Sequence, residues 1–104
     1  MGRTALLGAL VAALAAGCTQ ETLSPEAERG RQIYQAQCIA CHNPDPSQPG
    51  PIGPEVKGSS EALLRARLGT GTYPPGYKPK RPTAIMQPMP QLVSDAAGLA
   101  AYLR

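Results

Sequence analysis

The residues most able to do chemistry are Cys38-Ile39-Ala40-Cys41-His42. Two thiols three positions apart, with an imidazole directly after the second, have the spacing of a c-type haem attachment site. Each thiol can add to one vinyl group of the ring, so two thioether bonds would fix the ring against the backbone. The adjacent His42 can then reach the iron from one face. One short stretch thus offers both a covalent anchor and a first axial ligand.

Short motifs recur by chance, so other readings of the same cysteines need weighing. A redox dithiol usually lies beside a strand–helix–strand pattern, and none is visible. A structural zinc site wants four Cys or His ligands, whereas the whole chain holds three Cys and one His. A structural disulfide is the third such reading.

The iron's other axial position must be filled from elsewhere, because no second His exists to make a bis-His centre. Met86, Met89, a Lys, a Tyr or an open position are the choices. A thioether is a soft ligand, and a Met/His pair raises the reduction potential. Both methionines lie in a proline-rich loop, where a hydrophobic-core role is less natural for Met. Pro88 and Pro90 flank Met89 and stiffen its backbone, so Met89 is preferred, with Met86 as the alternative.

The elements that must hold these groups are short. Ser24-Pro25-Glu26 reads as a helix start, with Ser as N-cap, Pro at the first helical position and an acid in the first turn. That helix should run to about Gln37 and deliver Cys38. Ala27, Gly30, Ile33, Tyr34 and Gln37 fall near one of its faces. Residues 43–54 are too rich in Pro and Gly for regular structure and read as a stiff loop of turns over the histidine side of the haem. Ser59 or Ser60 should cap a second helix through about Leu68, with Gly69 as its C-terminal cap. Leu63, Leu64 and Leu68 are its apolar positions, and Arg65 and Arg67 its solvated side. Residues 70–90 form a second long loop, a length that is usually functional. Its basic cluster, Lys78, Lys80 and Arg81, is most simply a solvated surface. Ser94-Asp95 should cap a last helix to about Leu103, with Leu99 and Tyr102 on one face. No strand pattern and no internal repeat is evident, so the fold class is all-α.

With 104 residues and neither Trp nor Phe, the chain makes one small domain with little aromatic payload of its own. Domains of this size often need a staple, and a covalently held apolar ring is one. The formal charge of +3 loses one unit if Arg3 leaves with a leader. It is too small to point to nucleic acid, and no aromatic-interleaved basic stretch supports single-strand binding.

The leader reading rests on residues 1–17. Arg3 precedes an apolar run, Ala5–Ala16, too short to span a bilayer. The run ends Leu14-Ala15-Ala16-Gly17-Cys18, which resembles the lipobox of bacterial lipoproteins. The resemblance implies cleavage before Cys18, lipidation of that thiol, and a short tether over residues 18–23. It also accounts for the odd cysteine of an exported chain. Ordinary secretion, with a leftover thiol at Cys18, is the alternative. The expected location is therefore outside the cytoplasm, anchored by lipid to a bacterial membrane and facing the periplasm or cell exterior.

Residues 24–104 resemble a monohaem class I cytochrome c of the small bacterial type. The resemblance rests on Cys38-Ile39-Ala40-Cys41-His42, on Gly53-Pro54-Glu55-Val56-Lys57-Gly58 and on Met89-Pro90 before the last helix. It implies three to four short helices, with Pro-rich loops wrapped around one covalently bound haem c per chain. It also implies that the Pro54 carbonyl holds the other ring nitrogen of His42, and that Gly30 and Tyr34 meet Leu99 and Tyr102 where the first and last helices cross. The family's tryptophan near the haem propionates is missing, and Tyr73, Tyr77 and Arg81 are candidates in its place. The expected function is one-electron transfer between redox proteins, by a monomer or a subunit of a larger complex, and not catalysis. The rival is a ligand-binding or sensing haem protein with an open sixth position. A peroxidase is a weaker third, for want of a distal acid–base His.

Overall fold

Ser24 and Pro25 start the first helix as their chemistry dictates. In the computed structural model, which describes residues 22–104, α1 spans Pro25–Gln37. The Ser24 hydroxyl accepts a hydrogen bond from the Ala27 N–H at 3.1 Å, satisfying one of the amides that a helix start leaves unpaired. Glu26 and Glu28 place negative charge in the first turn, where the helix dipole favours it. Ala27, Gly30 and Tyr34 are buried, the stripe that helical spacing predicts.

The second helix, α2, spans Glu61–Gly69, and the Ser60 hydroxyl caps it by accepting from the Leu63 N–H at 3.1 Å. Its end differs from the expected glycine cap. Gly69 stays helical, Thr70 is the C-cap with φ −123°, and the left-handed turn falls at Gly71, φ +72°. The Thr70 and Thr72 amides both reach the Ala66 carbonyl, at 3.3 and 3.1 Å, so the turn closes two residues later than Gly69 would allow.

The C-terminal segment begins with a 3₁₀ turn over Pro90–Asp95 and becomes α3 over Ala96–Tyr102. A single helix capped by Ser94-Asp95 was expected. Asp95 does hold the N-cap position, but its side chain makes no cap bond. It accepts instead from Arg29 Nε on α1, at 2.8 Å. That ion pair links the first and last helices, which pack directly on one another.

Their crossing is closer than side chains allow. A β-carbon on Gly30 would overlap the Gly98 carbonyl and lie 2.9 Å from the Leu99 nitrogen. Tyr34 and Tyr102 meet beside the crossing, with ring centroids 5.7 Å apart and planes at 52°, a tilted aromatic geometry that adds to simple burial. Tyr34, Leu68, Leu99 and Leu103 form the buried cluster.

The two loops are tied to this frame and to each other. The Pro46 carbonyl accepts from the Val56 and Lys57 amides, each at 2.9 Å, which closes the first loop on itself. The Gly58 amide donates to the Leu103 carbonyl at 2.5 Å. Lys80 pairs with the Glu55 carboxylate at 3.2 Å and Arg81 donates to the Ile52 carbonyl at 3.1 Å, so these two members of the basic cluster strap the second loop to the first. Among the described residues there is no strand, and no helix is long and apolar enough to cross a membrane.

Candidate functional site

Cys38 leaves α1 at its last turn, where its amide still donates to the Tyr34 carbonyl at 2.9 Å. The Cys41 and His42 amides then both reach the Cys38 carbonyl, at 3.2 and 2.9 Å. This tight turn brings Cys38, Cys41 and His42 to the wall of one cavity of about 390 Å³. That is within the roughly 300–1,000 Å³ usual for cofactor and ligand sites.

The rest of the wall comes from every helix. Tyr34, Leu68, Leu99 and Leu103 line it, and these same four side chains are the buried cluster of the fold. Pro54 and Gly53 line it from the first loop, and Met86 and Met89 from the second. The chain's few core residues therefore face a shared space and not only each other. A large apolar plate fits this wall, with two thiols, one imidazole and two thioethers placed around it.

The histidine is oriented. His42 Nδ1 lies 2.7 Å from the Pro54 carbonyl oxygen. A carbonyl can only accept, so Nδ1 carries the proton and Nε2 keeps the free pair that binds metal. The ring is also sterically held. A β-carbon on Gly53 would lie 2.5 Å from His42 Cε1 and 2.7 Å from Nδ1, so only glycine lets the loop run against the imidazole. Gly53 is fixed there by its own amide, which donates to the Cys41 carbonyl at 2.8 Å.

The thiols are not joined to each other. Burial pushes the Cys38 thiol up to about 11, with the neighbouring Cys41 adding to it. A redox dithiol needs the opposite, a lowered pKa that supplies thiolate, so the dithiol reading does not fit this site. Nor does zinc. Among the described residues no three His, Cys, Asp or Glu side chains gather to hold a metal ion.

The two methionines differ in how they are held. Both are half-buried. The Met89 amide donates to the Leu68 carbonyl at 2.8 Å, and its carbonyl accepts from Leu92 at 2.9 Å. Met86 lies in the stretch between Tyr77 and Met89, where neither of those backbone bonds reaches it. Tyr73, Tyr77 and Arg81 all line the cavity, as their candidacy for the propionates requires.

Arg67 overturns an expectation. Arg65 is on the solvated side of α2 and pairs with Glu61 at 2.8 Å. Arg67 is half-buried and lines the cavity, with its guanidinium carbon 4.2 Å from the Tyr73 ring centroid. Its spacing gave a signal, since it lies four residues after Leu63 and three after Leu64 on the helix, and both line the cavity. Gly98 is the other residue missed, as the partner of Gly30. Cys18 lies outside the described residues.

Comparison with known sequences agrees with this geometry. Neither a search of curated proteins nor a search of solved structures gave a match. The family model for Cytochrome c matches residues 27–104, a span that takes in α1 from its third residue, α2 and α3 whole, both loops and every residue of the cavity wall. Covalently attached haem c and haem-based electron transfer with redox-protein partners come with that family, and Cys38 and Cys41 stand where its attachment motif requires them. The chain belongs to the cytochrome c family, with the all-α fold of its monohaem class I members.

Proposed function

We propose that this chain is a one-electron carrier whose haem is tied to Cys38 and Cys41 and coordinated by His42 and Met89, exchanging electrons with redox partners outside the cytoplasmic membrane. Bound in the cavity, haem supplies Fe(III)/Fe(II) chemistry, and the protein's part is to hold and shield it. The observation that carries the reading is the 2.7 Å bond from His42 to the Pro54 carbonyl. It fixes the metal-binding tautomer and raises the basicity of the imidazole.

Met89 is favoured over Met86 by its two backbone bonds, which fix its main chain so that less entropy is lost when its sulfur binds. Two of the other polar side chains of the wall are engaged, and a third is covered on its ring face. Lys80 is paired with Glu55, Tyr34 donates to the Asn43 carbonyl at 2.5 Å, and Tyr73 lies under Arg67. With thioether side chains on the same wall, an open sixth position draws no support. Partners would dock at the cavity mouth, where Ile52 and Ile85 are 45% and 59% exposed beside Lys80 and Arg81, through a small transient interface.

Cys18, lipidated after removal of residues 1–17, would anchor the domain. From Cys18 to Ser24 an extended chain reaches roughly 25 Å at most, so the carrier would stay beside membrane-bound partners.

The test is spectroscopic. Met89→Ala should remove the weak far-red band of a thioether-ligated ferric haem and lower the reduction potential, while Met86→Ala leaves the band in place. Loss of the band only in Met86→Ala would reverse the ligand choice. Retention in both variants would mean that either methionine can serve, and absence of the band from the wild-type protein would rule out methionine. Cys18→Ser should move the protein from the membrane to the soluble fraction, and a variant that stays bound would refute the anchor.

A further inference from the structure

The most unexpected charge in the molecule is Arg67. It stands on α2 directly before the buried Leu68, on the cavity wall. Its Nη1 donates to the Gly71 carbonyl at 2.6 Å, and its guanidinium lies over Tyr73. Tyr73 stacks in turn on Tyr77, with centroids 5.4 Å apart and planes 6° apart. The cation is therefore held at one end of a three-layer stack, by one carbonyl and one ring face.

Among the described residues no carboxylate pairs with it. The ion pairs of the described residues engage Arg29, Arg31, Arg65 and Lys80. A half-buried cation without a counter-ion is costly, and one carbonyl and one ring face offset only part of that. Guanidinium also keeps its proton at any pH a protein survives. The wall thus carries a permanent positive charge among apolar side chains, where salt screens weakly.

We propose that Arg67 is a fixed electrostatic determinant of the haem's reduction potential, holding it up. The inference rests on the haem reading above. Oxidation to Fe(III) adds one positive charge to the centre, and a nearby immobile cation opposes it. If the guanidinium meets a haem carboxylate, it cancels negative charge that would otherwise favour Fe(III). The sign is the same in both arrangements. Tyr73 and the Gly71 carbonyl act as positioning groups that keep the charge in place.

The experiment is a spectroelectrochemical titration of the full, haem-loaded protein and its variants, each first checked for haem mass and for the far-red band. Arg67→Gln should favour the ferric form at a given applied potential by on the order of tenfold, a fall of about 59 mV for one electron. Arg67→Lys keeps the charge without the stack and should lie between. Tyr73→Phe keeps the ring face and should match wild type. Tyr73→Ala should lower the potential and make it more dependent on ionic strength, because the freed guanidinium reaches solvent. An unchanged potential in Arg67→Gln with the band intact overturns the proposal. So does an equal fall in Arg67→Lys and Arg67→Gln, which would make Arg67 a packing residue, and so does loss of the band in Arg67→Gln, which would make it a support for the axial ligand. A wild-type protein without haem would instead sink the underlying reading.

Discussion

The Gly98 carbonyl occupies the space that a β-carbon on Gly30 would need, and the Leu99 nitrogen lies 2.9 Å from the same point. Both obstacles are backbone, so neither can rotate away. Gly30→Ala gains about 1 kcal/mol of helix propensity but must push α1 and α3 apart, and overpacking of this kind costs about 1–3 kcal/mol or more. Because α3 also carries Leu99 into the cavity wall, the net effect should be a lower denaturant midpoint together with a perturbed haem spectrum. Gly98→Ala is the comparison. Its β-carbon would meet the Glu26 carbonyl at 2.9 Å and otherwise only ordinary contacts, so its loss should be smaller. Equal stability of Gly30→Ala and wild type would show that the crossing is not tight.

A second prediction separates side chain from backbone at the histidine. Pro54 acts through its carbonyl, which every residue possesses. Pro54→Ala keeps the acceptor and should change the reduction potential little. Gly53→Ala places a methyl group against the imidazole and should break the bond from Nδ1. Without that bond the ligand is less basic and stabilises Fe(III) less, so the potential should rise. A large shift in Pro54→Ala with none in Gly53→Ala would reverse the assignment.

Much of this was legible in local chemistry. Ser24-Pro25 and Ser60 mark helix starts that need nothing beyond their own side chains, and α1 and α2 begin where those residues predict. The Pro54 carbonyl was legible only through the family resemblance, which implies a proline carbonyl at that distance from His42 in sequence. What escaped depends on distant partners. Asp95 was expected to cap its own helix, but Arg29 lies 66 residues away in sequence and holds it instead. Arg67 was assigned to solvent because it is charged, and the ring that receives it, Tyr73, belongs to a loop whose path is not written in helical periodicity. The two-residue delay of the turn after α2 likewise depends on a shared acceptor, the Ala66 carbonyl, and not on which glycine comes first.

A third prediction concerns alkaline pH. Burial pushes the Tyr34 phenol up to about 12 from an ordinary 10.0, with smaller additions from Cys38 and Tyr102. Thioether formation at Cys38 removes one small addition and leaves burial, the largest cause. The folded protein therefore keeps this proton at pH values where the unfolded chain has lost it. Its stabilising effect is complete below 10.0 and falls as pH rises toward 12. Tyr34→Phe should lose about 1–2 kcal/mol at neutral pH, since the Asn43 carbonyl loses its donor, yet show a flatter decline across the alkaline interval. Denaturant midpoints measured across that interval decide it. Parallel slopes in the two proteins would mean that Tyr34 does not titrate with unfolding.

The last prediction follows from the shared identity of core and wall. Tyr34, Leu68, Leu99 and Leu103 are the buried cluster, and each also faces the cavity. Removing the group that fills the cavity leaves these side chains without their main apolar neighbour, and Ala27 and Ala96, the other buried apolar residues, are too small to replace it. Small domains keep only a narrow margin of stability, so loss of the plate should consume it. A Cys38→Ala, Cys41→Ala double variant, produced in the same way as the wild type and purified without haem, should show reduced helical circular dichroism and no cooperative thermal transition. Restoring haem non-covalently should recover part of both, because His42 and the apolar wall remain. A haem-free variant that melts cooperatively with wild-type helicity would show that the helices support one another directly, and that the cofactor is a guest in a fold already complete.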